Sequence, residues 1–372
     1  MLFATPVPPP PPLPPPAIEQ PAPRQASYGL VSGRAPAGTR RILVRAGGRL
    51  LADRPLRGRR FSLRVALPAG ESTVRVVALA AGGRRAASSV GPVLGLPPAA
   101  RPRVLPERVD PGLVRAARRL AAAYPGSAGV HVQSLTSGAG GAWNARARFP
   151  AASTLKLAIA VTALARTEGP PPAGSLVDGL LLRMLVHSDN AAANALEVWL
   201  AGSTSAGSGT VNALLRAIGI AETEMYGGYE VERSPSGRIP ARVDDQPAWG
   251  YGKYTTARDL AALLRAVWLA SGGRGPLRRQ GVDAGEARYL LFALGRVADH
   301  GKLDREVGRL PGVTVLHKAG WVDDARHDAG LVFWRGGVYA AAVLTWSGGG
   351  AGARSDLLAG RVARVALDRF RG

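Results

Sequence analysis

Ala151-Ala152-Ser153-Thr154-Leu155-Lys156-Leu157 is the stretch on which the reading of this chain turns. Pro150 leads a short turn into the apolar run Leu157 to Leu164. If that run is a helix, the i, i+3 spacing puts the Ser153 hydroxyl and the Lys156 amine on one face. A serine hydroxyl hardly ionises near neutrality, so it attacks only with a base beside it. A lysine serves as that base only when burial or a second cation keeps its amine neutral. The apolar run supplies such burial. Standing alone, the pair reads more readily as a helix cap and a solvated surface charge.

Two further stretches change that balance. His187-Ser188-Asp189-Asn190 lies between two helix-like segments, and His317-Lys318-Ala319-Gly320 ends the β-branched run Val313-Thr314-Val315. Taken singly, the first is an ordinary N-cap cluster and the second a strand terminus. Serine-x-x-lysine, then S-D-N, then K-[TS]-G, in that order, is the signature of class A β-lactamases and penicillin-binding proteins. The chain resembles that family, with the third motif altered. Only four of its 48 cationic residues are lysines, and two of the four fall in these motifs.

The resemblance implies an α+β fold over about residues 106 to 372, an antiparallel five-stranded sheet with a helical subdomain. It also implies roles. Ser153 would form an acyl-enzyme with a β-lactam or related amide, Lys156 would activate it, and Ser188 would relay a proton to the leaving nitrogen. Asn190 would hold Lys156 and a substrate amide oxygen. Lys318 would keep the cleft electropositive and depress the Lys156 pKa, and the backbone N–H groups of Ser153 and Trp321 would bind the developing oxyanion. Gly320 would let the strand approach the substrate without a Cβ. No cofactor or metal enters this chemistry.

Three departures bear on substrate and turnover. Ala319 replaces the hydroxyl residue that helps bind a substrate carboxylate in the family. Ser153 and Ser188 stand only 35 residues apart, which implies a trimmed helical subdomain. The family's deacylating glutamate sits in E-x-x-x-N, whereas Glu222, Glu224, Glu230 and Glu232 are followed four places on by Tyr226, Gly228, Ser234 and Ser236. Glu224 and Glu230 are the candidates for that base. The leading expectation is a serine hydrolase that opens the β-lactam amide. The alternatives are a serine esterase or peptidase, or a slowly deacylating penicillin-binding protein acting on cell-wall peptides, and an inactive cell-wall-binding protein.

The remaining sequence is read as attachment. A formal charge of +22 comes mostly from arginines spread between Arg24 and Arg371, and aromatics are only 6%. That pattern argues against a nucleic-acid groove and leaves weak attraction to anionic wall polymers as the secondary expectation. Cysteine is absent, and the five histidines show no H-x-x-x-H pair, so no metal site is read here. Residues 1–27, with proline runs at Pro8 to Pro12 and Pro14 to Pro16, read as a disordered spacer. Short alternating runs such as Arg41 to Val44, Phe61 to Val65 and Val74 to Ala78 suggest an Ig-like β-sandwich over 28–97. A linker over 98–109 precedes the catalytic unit, 110–372. No stretch is long enough to cross a membrane. An extracytoplasmic monomer is expected, its export signal not visible in the given chain.

Within the catalytic unit, Gly129 to Leu135 and Trp143 to Phe149 look like a hairpin closed by the glycines of 137–141. Ser175 and Thr256 read as helix caps, further helices are read at 191–200 and 211–218, and three strands near 312–346 precede a final helix over 355–370.

Overall fold

The computed structural model describes residues 11–229 and 252–372. Chain contacts divide the protein into two units, Met1–Pro98 and Ala99–Gly372. The first unit is built from strands β1 (Ala17–Gln20), β2 (Gln25–Ser27), β3 (Leu30–Arg34), β4 (Thr39–Ala46), β5 (Arg49–Pro55), β6 (Arg60–Arg64), β7 (Gly70–Ala80) and β8 (Arg85–Gly95). They form two sheets, ordered β1-β3-β6 and β2-β8-β7-β4-β5. Alternation along the strands explains the layering: Ile42, Val44 and Ala46 of β4 and Val74, Val76 and Ala78 of β7 are buried and join Val31, Phe61 and Val93 in one core. This is an all-β sandwich, as the alternating runs suggest. The spacer reading needs correction. Ala17–Gln20 and Gln25–Ser27 are strands, β1 pairing with β3 and β2 running parallel to β8, because a proline-rich extended segment needs no reshaping to lie along a sheet edge.

The second unit follows with β9 (Arg108–Val109), α1 (Pro111–Ala122), β10 (Ser127–Ser134), β11 (Ala139–Trp143) and β12 (Phe149–Pro150). Next come a 3₁₀ turn (Ala152–Leu155), α2 (Lys156–Leu164), α3 (Leu176–Val186), α4 (Asn190–Ala201), α5 (Thr204–Ala217), β13 (Tyr254–Thr255), α6 (Ala257–Ser271) and α7 (Ala284–Leu294). The chain closes with β14 (Thr314–Val322), β15 (Ala325–Trp334), β16 (Gly337–Trp346) and α8 (Ala353–Arg371). The main sheet is ordered β14-β15-β16-β10-β11-β9, five antiparallel strands with the two-residue β9 added parallel to β11 at the edge. Burial along β15 and β16 is nearly continuous, which requires cover on both faces. Val130, Val132, Val332, Tyr339 and Val343 pack with α1 and α8 in one core. The opposite-facing Leu331, Phe333, Ala340, Ala342 and Leu344 are equally buried.

The supposed linker belongs to this unit. Trp268 Nε1 donates to Ala100 O at 2.8 Å, and Arg108 N to Gly138 O at 2.8 Å. The glycine stretch read as a hairpin turn is itself β11. A Cβ on Gly141 would come within 2.6 Å of Leu113 Cβ and Val114 N, so glycine there lets α1 seat on the sheet. The caps behave as their residue types predict: Asp110, Ser175, Asp189 and Thr256 each accept backbone N–H groups at their helix starts.

Three bonds fix the segment before Ser153. β12 pairs with β13, Ala151 N donates to Lys253 O at 3.0 Å, and His327 Nε2 of β15 meets Pro150 O at 2.6 Å. Thr345 N donates to His327 Nδ1 at 3.1 Å, so the ring satisfies both partners only as the neutral Nε2–H tautomer. Burial pushes its pKa down to about 4, against the opposing hydrogen bonds to Pro150 and Arg326 backbone. The unfolded chain therefore binds the proton first as pH falls from 6.5 toward 4, and stability declines through that window by up to about 3 kcal/mol. His327→Leu should cost about 2–4 kcal/mol at pH 7.5 by orphaning two buried backbone groups. It should also lose less than the parent on acidification. Denaturant melts of both proteins at pH 7.5 and pH 5 test this, and parallel losses would exclude the assignment.

Candidate active site

The first turn of α2 carries the site. Every residue of α2 is buried, Lys156 included at 0% exposure, and neither the 3₁₀ turn nor α2 has a side-chain cap bond. The cap-and-surface-charge reading of Ser153 and Lys156 therefore does not describe this structure. Lys156 Nζ lies 3.0 Å from Ser153 Oγ. It donates to Ser188 O at 2.5 Å and to Asn190 Oδ1, and lies 3.4 Å from Ser188 Oγ.

Ser188 and Asn190 arrive from the junction of α3 and α4. Asp189 between them is the α4 cap, accepting from Ala192 N at 2.9 Å, and that amide together with Arg183 holds its carboxyl below the usual range. Ser188 has φ 57° and Ala152, just before Ser153, φ 47°. Left-handed backbone at non-glycine residues costs on the order of 1–3 kcal/mol each and gathers where a side chain must be aimed.

Lys318 reaches the same hydroxyl from the sheet, its Nζ 2.9 Å from Ser188 Oγ and 2.7 Å from Ala319 O. Burial pushes its pKa down to about 8; Asp299 and Asp328 oppose that shift and Lys302 adds to it. Lys318 sits inside β14, not at its end. Gly320, two residues on, lies against the nucleophile turn: a Cβ there would be 2.7 Å from the amides of both Ser153 and Thr154. Ala319 is buried and Trp321 is 60% exposed. The structure thus gathers Ser153, Lys156, Ser188, Asn190 and Lys318 by hydrogen bonds and lays Gly320 over the serine amide.

Sequence reading missed two members. Lys156 Nζ is 4.6 Å from the Tyr229 ring centre and Lys253 Nζ is 4.7 Å from the same ring. Asn194 clamps Tyr229 through backbone bonds of 2.7 and 2.8 Å, and Tyr229 Oη donates to Ala152 O at 3.3 Å. Lys253 Nζ donates to Tyr226 O and Gly228 O, each at 2.7 Å. Lysine scarcity was the available signal, since Lys253 is one of only four. Glu224 is engaged by Asn212, Tyr254 and Arg216 instead of by Ser153 or Lys156. Glu230 lies outside the described residues, as does Glu232. A separate cleft of about 290 Å³, lined by residues including Glu107, His131, Arg146 and Arg258, contains none of this constellation.

A family model described as "Beta-lactamase enzyme family" matches residues 112–169 and 171–370. No curated protein matches the chain. Among solved structures, PBP-A is similar at 22% identity with a TM-score of 0.57, over 72% of this chain and 99% of its own. A class A β-lactamase from Mycobacterium abscessus gives 22% and 0.54, over 70% and 100%. A β-lactamase from Sphaerobacter thermophilus gives 19% and 0.53, over 70% and 98%. At these identities the likeness concerns the fold.

Gly320→Ala tests the packing at the centre of the site. Its Cβ meets backbone and not a yielding side chain, so β14 or the nucleophile turn must shift. The rate at which Ser153 reacts with a small acylating ester should fall by roughly 100-fold, as loss of one oxyanion donor does, with the protein still folded by circular dichroism. An unchanged rate would show that β14 does not set the environment of Ser153.

Proposed function

The chain belongs to the beta-lactamase enzyme family, and from that premise we propose that it is a serine hydrolase acylated at Ser153 by β-lactams and related amides. The observation that carries the reading is the buried lysine touching the serine. As a neutral amine Lys156 has two N–H donors and one lone pair. Ser188 O and Asn190 Oδ1 take the donors, and the lone pair is directed to the Ser153 hydroxyl 3.0 Å away. In this mechanism Ser153 Oγ attacks the carbonyl as Lys156 takes its proton. Ser188, within reach of both Lys156 and Lys318, passes a proton to the departing nitrogen. The Lys318 charge draws an anionic substrate into the cleft, and the amide of Ser153, with that of Trp321, stabilises the oxyanion.

Ala319 provides no hydroxyl beside Lys318, so recognition of a substrate carboxylate rests on the ammonium and Ser188. The second reading, slow deacylation with a wall peptide as the natural acyl donor, is favoured by that residue and by the engagement of Glu224 elsewhere. We place the protein outside the cytoplasm, where wall peptides are met. Recovery of the native protein only from the cytoplasmic fraction would argue against this.

A fluorescent penicillin should label the wild type covalently, and mass spectrometry should place the adduct on Ser153. Ser153→Ala should remain unlabelled, and Lys156→Met should slow labelling by roughly 10²–10⁴-fold, the range for loss of a general base. Equal absence of label in wild type and Ser153→Ala, with no turnover of a chromogenic cephalosporin, would remove the β-lactam reading.

Deacylation is separable from this. Glu230→Gln should lengthen the lifetime of the penicillin adduct by roughly 100-fold while leaving its formation within about twofold. Glu224→Gln should alter neither. Identical adduct lifetimes in wild type and Glu230→Gln would assign the water-activating group to another residue.

A further inference from the structure

We propose that His300, Asp304 and His317 bind a divalent transition-metal ion of the zinc class, on the sheet strand that carries Lys318. Among the described residues, theirs is the one group of three or more metal-type ligands close enough to share an ion, with ligand atoms within 4.8 Å of one another. His300 Nδ1 lies 2.9 Å from Asp304 Oδ2. Asp304 Oδ1 accepts from Gly301 N at 2.8 Å and Lys302 N at 2.9 Å, which fixes the carboxylate and turns its other oxygen to His300.

The decisive member is His317. Its side chain is 1% exposed, and Nδ1 lies 2.8 and 2.9 Å from the two oxygens of Asp328. Nε2 is buried with no hydrogen-bond partner among the described residues. Leaving a buried ring nitrogen unpartnered forfeits the hydrogen bond it would make to water. An imidazole anchored through Nδ1–H on a carboxylate, with the Nε2 lone pair directed elsewhere, is the arrangement by which proteins orient a metal-binding histidine. Asp328 is itself held, accepting from Leu303 N at 3.0 Å. A proton is the other occupant of that lone pair, and a metal ion displaces it.

Ligand type selects the ion. Two imidazoles and one carboxylate suit zinc, cobalt or nickel better than calcium or magnesium, which prefer all-oxygen cages. Three protein ligands leave one tetrahedral position for water or an exogenous group. Access is from one side: His300 is 69% exposed and Asp304 15%, while His317 closes the site against the sheet. The surrounding charge permits a dication, with Asp299, Asp304 and Asp328 set against Lys302 and Lys318. Lys302 is committed to Asp299, and Lys318 to Ser188 and Ala319. The sequence carries the trace as H-x-x-x-D, an i, i+4 pair overlooked when histidines alone are paired. Its third ligand lies 13 residues beyond Asp304.

The test uses tag-free, chelator-stripped full-length protein titrated with CoCl₂ and then ZnCl₂. One equivalent of cobalt should give the intense visible d–d bands of a four-coordinate ion, zinc should bleach them, and zinc should raise the Tm. His300→Ala, at an exposed position that leaves the fold intact by circular dichroism, should weaken cobalt binding on the order of 100-fold. Asp304→Asn, which keeps an acceptor for the Gly301 and Lys302 amides, should weaken it likewise. Absence of d–d bands, or equal affinity in wild type and His300→Ala, would overturn the assignment. Neither result bears on acylation of Ser153, so the two readings stand or fall separately.

Discussion

The structure depends on keeping one lysine amine out of water. An amine moved into a protein interior gives up its hydrogen bonds to water, and Lys156 regains partners because they converge from separate elements. Ser153 comes from its own turn, Ser188 O and Asn190 Oδ1 from the start of α4, and the Tyr229 ring from beyond α5. Each of these needs its own element docked. The convergence therefore ties the helical block to the apolar helix on which Lys156 sits. It also explains where strain is tolerated: the left-handed residues Ala152 and Ser188 flank the amine, and the wholly buried α2 holds both in place.

The second constraint is like charge. Lys156, Lys253 and Lys318 meet around one serine and one tyrosine, which would be unfavourable without local acceptors. The fold supplies backbone carbonyls: Ser188 O for Lys156, Tyr226 O and Gly228 O for Lys253, and Ala319 O for Lys318. Carbonyl dipoles offset repulsion among the amines, and around Lys318 the carboxylates of Asp299 and Asp328 add to that. Choosing lysine in an arginine-rich chain follows from the same need, since an amine can give up its proton and a guanidinium cannot.

How much of this was legible depended on how local each signal is. The three motifs, the caps at Ser175 and Thr256 and the closing helix could be read because each is contained within a few residues. Helix α7 was not read, because Ala284 to Leu294 is apolar around most of its circumference and shows no stripe. Gly140 and Gly141 were misread as a turn because their reason is tertiary: strand β10 lies too close to Gly140, and helix α1 to Gly141, for a side chain. Ala17–Gln20 and Gln25–Ser27 carry the composition of a spacer, and only pairing, with the neighbouring β3 and the distant β8, makes them sheet. The Tyr229–Lys253 partnership had no local pattern at all, since it joins residues 24 apart through ring and carbonyl contacts.

These constraints also separate the two halves of the proposed reaction. Forming an acyl-enzyme draws on the hydroxyl, the amine, the relay and the close strand, and all of these are tied to one another by bonds shorter than 3.5 Å or by the Gly320 contact. Breaking it would draw on a carboxylate and a water, and of the two candidate carboxylates Glu224 takes part in none of those bonds. Glu224 is turned to Asn212, Tyr254 and Arg216. Under the proposed reaction, the groups that would acylate are therefore held by the packing around Lys156, and Glu224 is held apart from them by bonds of its own.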